Sequence, residues 1–320
     1  MSQMVSISKT VELLNKYSKL VLACHVSPDG DTLGSGCSLA LALEQLGKNV
    51  TLVCDDKIPE SLKFMPYTDK IVRFQDGDKV EADLLVILDA SSADRVGNVI
   101  ECVKAPILNI DHHISNTEYA DFLYLDTKAA ATGEIVYNLL KELNVKIDVN
   151  MAIPMYTAIA TDCGFFRFSN TTENTMICAA KLLKIGVSPE YVSNKLGVKR
   201  KKDVLYVGKI LPTMKFYEND KIATIEISLE NYDEDIETNT LISYPRYIEG
   251  VDVAIQFKQV EPEFTRISMR SKDTDVSEIA LLFGGGGHKK AAGCGIKANL
   301  EDAKKLVLDA VKKAQVEAGK

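Results

Sequence analysis

The first half of the chain alternates short apolar runs with segments of helical periodicity. The runs of strand length are KLVLACH, NVTLVCD, ADLLVILDA, PILNIDHH and FLYLD. The segments LGSGCSLALALEQLG, TGEIVYNLLKELN and VNMAIPMYTAIATD have the length and apolar spacing of helices. Short β-branched runs separated by helices predict a parallel sheet with crossover helices.

The second half has a different order of predicted helices and strands. Residues 188–216 have the pattern of a helical connector, and the runs KIATIEIS, VDVAIQFKQV, EFTRISMRSK and CGIK predict strands. The short turn VEPEF between the second and third runs predicts an antiparallel pair, and VSEIALLF and LEDAKKLVLDAVKKAQ predict helices. We therefore predict an α/β protein with a parallel-sheet domain at 1–187, a helical linker at 188–216 and a smaller mixed α/β domain at 217–320.

Length and composition agree with this division. A chain of 320 residues with 46% hydrophobic and 26% charged residues is long enough for two ordinary globular domains. No run approaches the roughly 20 apolar residues of a membrane span, and the start of the chain lacks the order of a signal peptide. The seven cysteines are scattered singly, as reduced thiols are. We expect a cytoplasmic protein without a membrane partner.

The charge narrows the class of partner. A net charge of −7 argues against a protein that coats long duplex nucleic acid, because such binding neutralises many phosphates. A short or small phosphorylated substrate is compatible, since a local basic pocket suffices. The pattern does not define an oligomeric state.

Polar residues whose side chains could bind a ligand or take part in catalysis stand at the ends of the predicted strands. His25, Asp89 and Asp111 each end one, and the carboxyl ends of parallel strands are where such sheets bind ligands. Asp29 and Asp31 follow His25 in the turn PDGD, which taken alone is an ordinary turn. The strand ends therefore predict a site at one edge of the sheet.

Two further residues join this edge. His112 follows the run ILNID, and Asp162 ends the predicted helix VNMAIPMYTAIATD. Carboxylates collected there would repel one another without a divalent cation. Two metals that share a bridging carboxylate, roughly 3.5–4 Å apart, would satisfy them. Aspartate and histidine without cysteine suit Mn²⁺, which imidazole favours, with Mg²⁺ or Co²⁺ as alternatives. The predicted ligands are His25, Asp29, Asp31, Asp89, His112 and Asp162.

Five motifs in order resemble a known family. The stretches HVSPDGD, LDASSADRVG, NIDHHISN and TDCGFFRF resemble the four motifs of the DHH phosphoesterase superfamily. The stretch SMRSKDTDVSEIALLFGGGGHKKAAG resembles the DHHA1 substrate-binding domain, so that the resemblance spans about residues 17 to 315. The short two-domain build is most similar to the bacterial nanoRNases, which degrade very short RNA and remove the 3′-phosphate of 3′-phosphoadenosine 5′-phosphate (pAp).

The resemblance implies a role for each ligand. One metal would be held by His25, Asp29 and Asp89, and the other by Asp31, Asp89, His112 and Asp162. His113 would face the substrate phosphate as a catalytic donor, and Asp111 would orient the site. Because neighbouring side chains in an extended segment point to opposite sides, we expect His112 and His113 to face different parts of the site.

Substrate-binding residues are implied in both domains. Arg95 and Asn116 are candidate phosphate contacts, although either could equally stabilise a loop. A run of four glycines leaves backbone N–H groups open to an anion, and in the DHHA1 pattern it binds the 5′ side of a nucleotide. The site would lie in a cleft between the domains. The predicted second-domain contacts are Arg270, Gly284, Gly285, Gly286, Gly287 and His288.

Several functions share these motifs. Hydrolysis of very short RNA and pAp is the leading hypothesis, and a phosphodiesterase for cyclic di-AMP or linear pApA is the alternative that the motifs do not separate. The run GGGGHKKAAG argues against an inorganic pyrophosphatase, and the short length and acidic charge argue against a RecJ-like DNA exonuclease. A non-catalytic nucleotide sensor would not need a complete ligand set.

Overall fold

The computed structural model describes residues 2–236 and 238–317. It divides into two compact units, one up to Val198 and one from Lys199 onward. Helices at Pro189–Gly197 and Lys201–Ile210 occupy much of the predicted linker. The boundaries at 187/188 and 216/217 stay predictions, and the outer limits at residues 1 and 320 lie outside the described residues.

The first unit is built on a six-stranded sheet in which all pairs are parallel. Its strands are β1 (Gln3–Met4), β2 (Lys19–Cys24), β3 (Asn49–Cys54), β4 (Leu84–Leu88), β5 (Ile107–Asp111) and β6 (Phe122–Leu125). Their order is β1-β6-β5-β4-β2-β3, which confirms the predicted parallel sheet.

Helices cover this sheet. They are α1 (Ile7–Lys16), α2 (Gly30–Gln45), α3 (Val99–Cys102), α4 (Thr132–Glu142), α5 (Val149–Asp162), α6 (Glu173–Ile185) and α7 (Pro189–Gly197). Capping side chains set where several begin: Asp29 accepts from backbone N–H groups of α2, and Asp148 does the same for α5. The helix predicted over VNMAIPMYTAIATD is α5, and it spans the same residues, Val149–Asp162, in the structure.

The two faces of the first sheet are buried in separate cores. Leu20, Leu22 and Cys24 of β2 pack on the side of α2, α4 and α5, and Val21 and Ala23 pack on the side of α3. Burial on both faces explains why the strands are continuous apolar runs without alternation.

A glycine brings two ends of this unit close together. A Cβ atom on Gly30, at the start of α2, would overlap with the Thr161 side chain near the end of α5. The missing side chain lets Asp29 and Asp31 approach Asp162. The start of α2 and the end of α5 therefore meet beside the carboxyl ends of the strands.

The second unit holds a six-stranded sheet of mixed direction. Its strands are β7 (Lys215–Tyr217), β8 (Ile222–Ile227), β9 (Val253–Glu261), β10 (Phe264–Ser271), β11 (Gly286–His288) and β12 (Ala291–Ile296), in the order β11-β12-β10-β9-β8-β7. Only β8 and β9 are parallel, and the predicted antiparallel pairing of β9 with β10 is confirmed. Strands β7 and β11 were not predicted.

The helices of the second unit are α8 (Lys201–Ile210), α9 (Ser243–Arg246), α10 (Val276–Leu282) and α11 (Leu300–Glu317). One face of the sheet packs its apolar side chains, such as Phe257 and Met269, against α10 and α11. This arrangement confirms the mixed α/β second domain. In the described part of the chain, no helix combines the length and apolar character needed to cross a bilayer.

Candidate metal centre

The six predicted ligands lie together at the carboxyl edge of the first sheet. His25 directly follows β2, Asp89 directly follows β4, and His112 directly follows β5. Asp29 and Asp31 stand at the start of α2, and Asp162 is the last residue of α5. Parallel strands bring their carboxyl ends to one edge, so that residues far apart in sequence meet there.

One group consists of His25, Asp29 and Asp89. The Nε2 atom of His25 lies 3.7 Å from Asp29 Oδ1 and 3.6 Å from Asp89 Oδ2. The other ring nitrogen, Nδ1, lies 2.8 Å from the backbone oxygen of Val26. This contact fixes the ring and leaves Nε2 directed at the two carboxylates, as in histidines that bind metals.

A second group consists of Asp31, His112 and Asp162. The Nε2 atom of His112 lies 3.8 Å from Asp31 Oδ2 and 3.6 Å from Asp162 Oδ2. This nitrogen is buried and has no hydrogen-bond partner among the described residues. A buried polar atom without a partner is uncommon, and a cation at this position would satisfy it.

Asp89 lies between the two groups. Its Oδ2 faces His25, and its Oδ1 lies 3.5 Å from His112 Nε2 and accepts a hydrogen bond of 3.0 Å from Thr132 Oγ1. The backbone of Asp89 has φ +61°, in the left-handed region that costs free energy for a residue other than glycine. This strained turn aims one carboxylate at both groups, as a bridging ligand requires.

The N-terminus of α4 holds Asp31 in place. The backbone N–H groups of Thr132 and Gly133 donate to its two oxygens at 2.7 and 2.8 Å, and Ser35 Oγ donates at 3.1 Å. Helix N-termini favour negative charge. The carboxylate is thereby fixed in orientation although it is fully buried.

The carboxylates of the site are costly to ionise without a cation. Burial raises the pKa of Asp89, and the Asp31 carboxylate beside it raises it further. Burial and Asp31 also raise the pKa of Asp162 to about 6. Burial by itself lowers the pKa of His25, but the Asp29 and Asp89 carboxylates outweigh it and raise the pKa to about 10. A set of carboxylates and imidazoles this close together fits two divalent cations.

His113 is held differently from His112. Its Nδ1 donates to Asp111 Oδ1 at 2.7 Å, and Asp111 also accepts from Asn116 Nδ2 at 2.6 Å. The hydrogen bond to Asp111 raises the pKa of His113 to about 9, which outweighs the opposing effect of burial. A histidine fixed through Nδ1 keeps Nε2 for another partner. The Asp111–His113 pair therefore offers a proton donor beside the candidate metal ligands.

The prediction that His112 and His113 face different parts of the site is wrong. Their rings lie 4.6 Å apart between centroids, and both have a ring nitrogen close to Asp89. Strand β5 ends at Asp111, so the alternation of an extended strand does not continue through the two histidines. Their different partners, and not opposite directions, distinguish them.

The other two candidates of the first unit have partners within it. Asn116 Nδ2 donates to Asn109 Oδ1 as well as to Asp111, which makes it a residue that positions Asp111. Arg95 is exposed, and its guanidinium lies 3.2 Å from His25 Nδ1. A phosphate contact for either residue stays a prediction.

The candidates of the second unit lie on and beside its sheet. Arg270 on β10 and His288 on β11 are both opposite Ala291 of β12 in the strand register. The N–H groups of Gly284 and Gly285 donate to the Leu281 and Ala280 carbonyls at the end of α10. The prediction that the whole glycine run offers free N–H groups is therefore wrong for these two residues. Gly286 and Gly287 pair with β12, and a substrate contact in this region stays a prediction.

Comparison with known proteins identifies the family. The DHH family N-terminal domain matches residues 19–159, and the DHHA1 domain matches residues 219–315. A protein of Thermus thermophilus named bifunctional oligoribonuclease and PAP phosphatase NrnA is 33% identical, with 94% of this chain and 91% of that protein covered. The chain belongs to the DHH family.

Two further proteins have similar sequence or fold. The bifunctional oligoribonuclease and PAP phosphatase NrnA of Bacillus subtilis is 27% identical over 94% of this DHH chain and 96% of its own length. The crystal structure of an exopolyphosphatase-related protein from Bacteroides fragilis superposes with a TM-score of 0.88 at 23% identity, covering 98% of this chain and 97% of that one. The second likeness shows a shared fold.

Sequence reasoning missed the residues that hold the candidate ligands Asp31 and Asp89 in place. Thr132, Gly133 and Ser35 all contact Asp31 or Asp89. Thr132 and Gly133 open the helix predicted over TGEIVYNLLKELN, and a helix N-terminus is a recognised site for an anionic group. That pattern could have suggested a carboxylate partner, but not which one.

Cation binding is expected to release protons and to become tighter as pH rises. Without a cation, His25 with its pKa of about 10 holds a proton at neutral pH, and a ligand must lose it. Each displaced proton makes the apparent affinity about tenfold higher per pH unit below that pKa. Calorimetry with Mn²⁺ at pH 6–8 in buffers of different ionisation enthalpy measures both effects. An affinity independent of pH would contradict the proposed role of His25.

Proposed function

We propose that the protein is a divalent-cation-dependent phosphoesterase that hydrolyses very short RNA to mononucleotides and removes the 3′-phosphate of pAp. The observation that carries the reaction class is the Asp89 carboxylate, which directs one oxygen toward His25 and the other toward His112. The substrates are inferred from the relatives named as oligoribonucleases and PAP phosphatases, whose lengths this chain covers almost completely.

In this proposal the first cation would be held by His25, Asp29 and Asp89. The second would be held by Asp31, His112 and Asp162 together with the shared Asp89. When bound, two divalent cations supply Lewis acidity, which lowers the pKa of a water molecule and neutralises charge on the phosphoryl oxygens. Mn²⁺ is the proposed metal because imidazole and carboxylate ligands without thiolate favour it, with Mg²⁺ or Co²⁺ as alternatives.

The chain's own residues orient the reactants and move a proton. Asp111 holds the Nδ1–H of His113, which keeps the ring positively charged at neutral pH and leaves Nε2 for a phosphate oxygen or the leaving group. Such a donor stabilises charge that develops in the transition state. Asn116 fixes Asp111 in turn.

The seven free cysteines support a cytoplasmic location.

Arg270 is proposed to bind a terminal phosphate of the substrate. Replacing Arg270 with alanine is expected to raise the KM for pAp and for a 5′-phosphorylated dinucleotide about tenfold, because a charge-assisted hydrogen bond is lost. Hydrolysis of bis(p-nitrophenyl) phosphate, which lacks that phosphate, should be unchanged. Steady-state kinetics of Arg270→Ala and of the charge-retaining Arg270→Lys variant measure this. Equal losses on all substrates would rule out a phosphate contact.

The function is tested by resolving products from a panel of substrates. The panel contains pAp, pApA, RNAs of increasing length, cyclic di-AMP and pyrophosphate, each with Mn²⁺ or Mg²⁺. We expect mononucleotides from the shortest RNAs, adenosine monophosphate from pAp, and falling rates with length. Preferred cleavage of cyclic di-AMP, or of pyrophosphate, would replace the proposed function with the corresponding alternative.

A further inference from the structure

One face of the second sheet carries a row of polar side chains away from α10 and α11. Along β10, Arg266, Ser268 and Arg270 alternate with the buried Thr265, Ile267, Met269 and Ser271. In the register with β9, Arg266 is opposite Lys258 and Ser268 is opposite Gln256. Paired residues of neighbouring strands lie on the same face. We call the set Gln256, Lys258, Arg266, Ser268 and Arg270 the polar face.

The polar face places like charges directly opposite each other. Lys258 and Arg266 form a cross-strand pair, an arrangement that destabilises a sheet when no opposite charge compensates it. Within residues 2–236 and 238–317, no carboxylate lies within ion-pair distance of Lys258, Arg266 or Arg270. Ion pairs in this unit involve other cations, such as Lys304 with Glu226 and Lys289 with Asp275.

The environment of Lys258 adds to this cost. Burial lowers the pKa of Lys258, and the neighbouring Arg266 lowers it further. The Lys258 ammonium donates to Thr238 Oγ1 at 3.2 Å, a neutral partner that does not cancel its charge. Among the described residues this pair of cations has no carboxylate partner, an arrangement that is explained if an anion occupies the face in the working protein.

A buried amide lies between the two groups of cations. Gln256 is only 3% exposed, and its Oε1 has no hydrogen-bond partner within the described residues. It stands one row from the Lys258–Arg266 pair and one row from Arg270. Ser268 pairs with Gln256 on one side and with Gly293 of β12 on the other, and Gly293 has no side chain to cover the face. Polar groups therefore continue from Arg270 to Arg266 without interruption.

We propose that Lys258 and Arg266 form a subsite that binds an additional phosphate of an RNA oligonucleotide, separate from the phosphate that contacts Arg270. This inference rests on the proposed function. Arg266 and Arg270 are four residues apart on one strand, so their Cα atoms are roughly 13 Å apart, which is enough for two separate phosphates. The half-buried Ser268 lies between the two subsites on β10, where a ribose with its hydroxyl groups would lie.

The subsite distinguishes substrates by their number of phosphates. A molecule of pAp has one phosphate to be hydrolysed and one for Arg270, and so has none for the Lys258–Arg266 pair. A 5′-phosphorylated dinucleotide also has only two phosphates, one to be hydrolysed and one for Arg270. A 5′-phosphorylated trinucleotide has one phosphate more, and therefore gains the additional contact.

The test uses the full chain with Arg266→Ala, the charge-retaining Arg266→Lys, and Lys305→Ala as a control. Lys305 is an exposed cation on α11, the helix that packs on the opposite face of the sheet. Binding of a labelled 5′-phosphorylated RNA trinucleotide is measured by fluorescence anisotropy, in chelator to prevent turnover, across a range of salt concentrations. Values of kcat/KM for the trinucleotide and pAp are measured with Mn²⁺.

Arg266→Ala is expected to weaken binding of the trinucleotide about tenfold. The slope of log affinity against log salt should decrease by about 0.7, as the loss of one contact to a single-stranded phosphate predicts. The kcat/KM for pAp should change less than about twofold, while Arg266→Lys and Lys305→Ala should stay close to the wild type. A purely structural role for Arg266 would not change the salt slope.

Two results would overturn the inference. One is an unchanged affinity and salt slope for the trinucleotide in Arg266→Ala, and the other is an equal loss of kcat/KM on trinucleotide and pAp. Failure of the proposed function is separate, because it would appear as an unmodified protein that hydrolyses neither substrate. The unmodified protein thus tests the reaction, and the variants test the subsite.

Discussion

Replacing Asp89 with alanine is expected to lower kcat/KM by about a thousandfold or more on every substrate. The reason is its position: one of its oxygens faces His25 and the other faces His112, so that its loss removes a ligand from both proposed cations. Kinetics with pAp and with a generic phosphodiester, together with metal analysis of the purified variant, measure the effect. Substantial activity with two bound metals would contradict the bridging role.

Removing the Asp89 charge should lower activity, but it is expected to make the fold more stable when no cation is bound. Burial and Asp31 raise the folded-state pKa of Asp89 above its unfolded value. A carboxyl group shifted in this direction stabilises the fold at low pH, and that contribution is lost as pH rises. In chelator at neutral pH, Asp89→Asn should therefore melt at a higher temperature than the unmodified protein, by about 2–4 °C per kcal/mol gained.

A matched control separates this effect from a general change in charge. Asp94 is exposed on the surface of the same unit, so that Asp94→Asn alters the net charge equally without relieving a buried carboxylate. We expect its melting temperature to be unchanged. If Asp89→Asn melts lower than the unmodified protein in chelator, the charge repulsion inferred for the site is wrong.

Replacing His113 with alanine is expected to lower kcat by about 10²–10⁴ while the protein still binds two metals. His113 is proposed as the donor, and its Nδ1 is already engaged by Asp111 at 2.7 Å. Loss of a donor that acts in the transition state lowers kcat more than it raises KM. Single-turnover rates and metal content measure the two parts separately. Loss of bound metal in His113→Ala would make His113 a ligand instead.

Asp111→Asn tests how the donor is positioned. The hydrogen bond to Asp111 raises the pKa of His113 to about 9, so a neutral amide at this position should let that pKa fall toward its ordinary value. Because the donor must be protonated, the alkaline fall of kcat should move to lower pH. A profile of kcat against pH, with equal metal content in both proteins, measures the shift. An unmoved profile would mean that Asp111 has only a structural role.

Much of the fold, and the grouping of the candidate ligands at one edge, follows from the sequence for a physical reason. Strands buried on both faces are continuous apolar runs, and their carboxyl ends meet at one edge. His25 and Asp89 directly follow such runs, so their proximity could be predicted without coordinates. Asp162, the candidate ligand at the end of α5, was predicted to join this edge because its helix has a clear pattern and a clear end.

The remaining features depend on tertiary contacts that periodicity does not encode. The direction of the His112 and His113 rings is set where β5 stops, and the contact of Asp31 with the start of α4 joins segments about a hundred residues apart. The glycine run has a conformation that only its neighbours fix: Gly284 and Gly285 close the end of α10, and β11 forms by pairing with β12. Glycine alone predicts freedom and not a partner.

In the proposed site, one carboxylate at the end of β4 joins two cations. Its most direct test is a crystal of the protein grown with Mn²⁺ and measured for anomalous scattering. We expect two anomalous peaks, one among His25, Asp29 and Asp89 and one among Asp31, His112 and Asp162, with the Asp89 carboxylate bound to both. A single peak, or two peaks of which only one contacts Asp89, would contradict it.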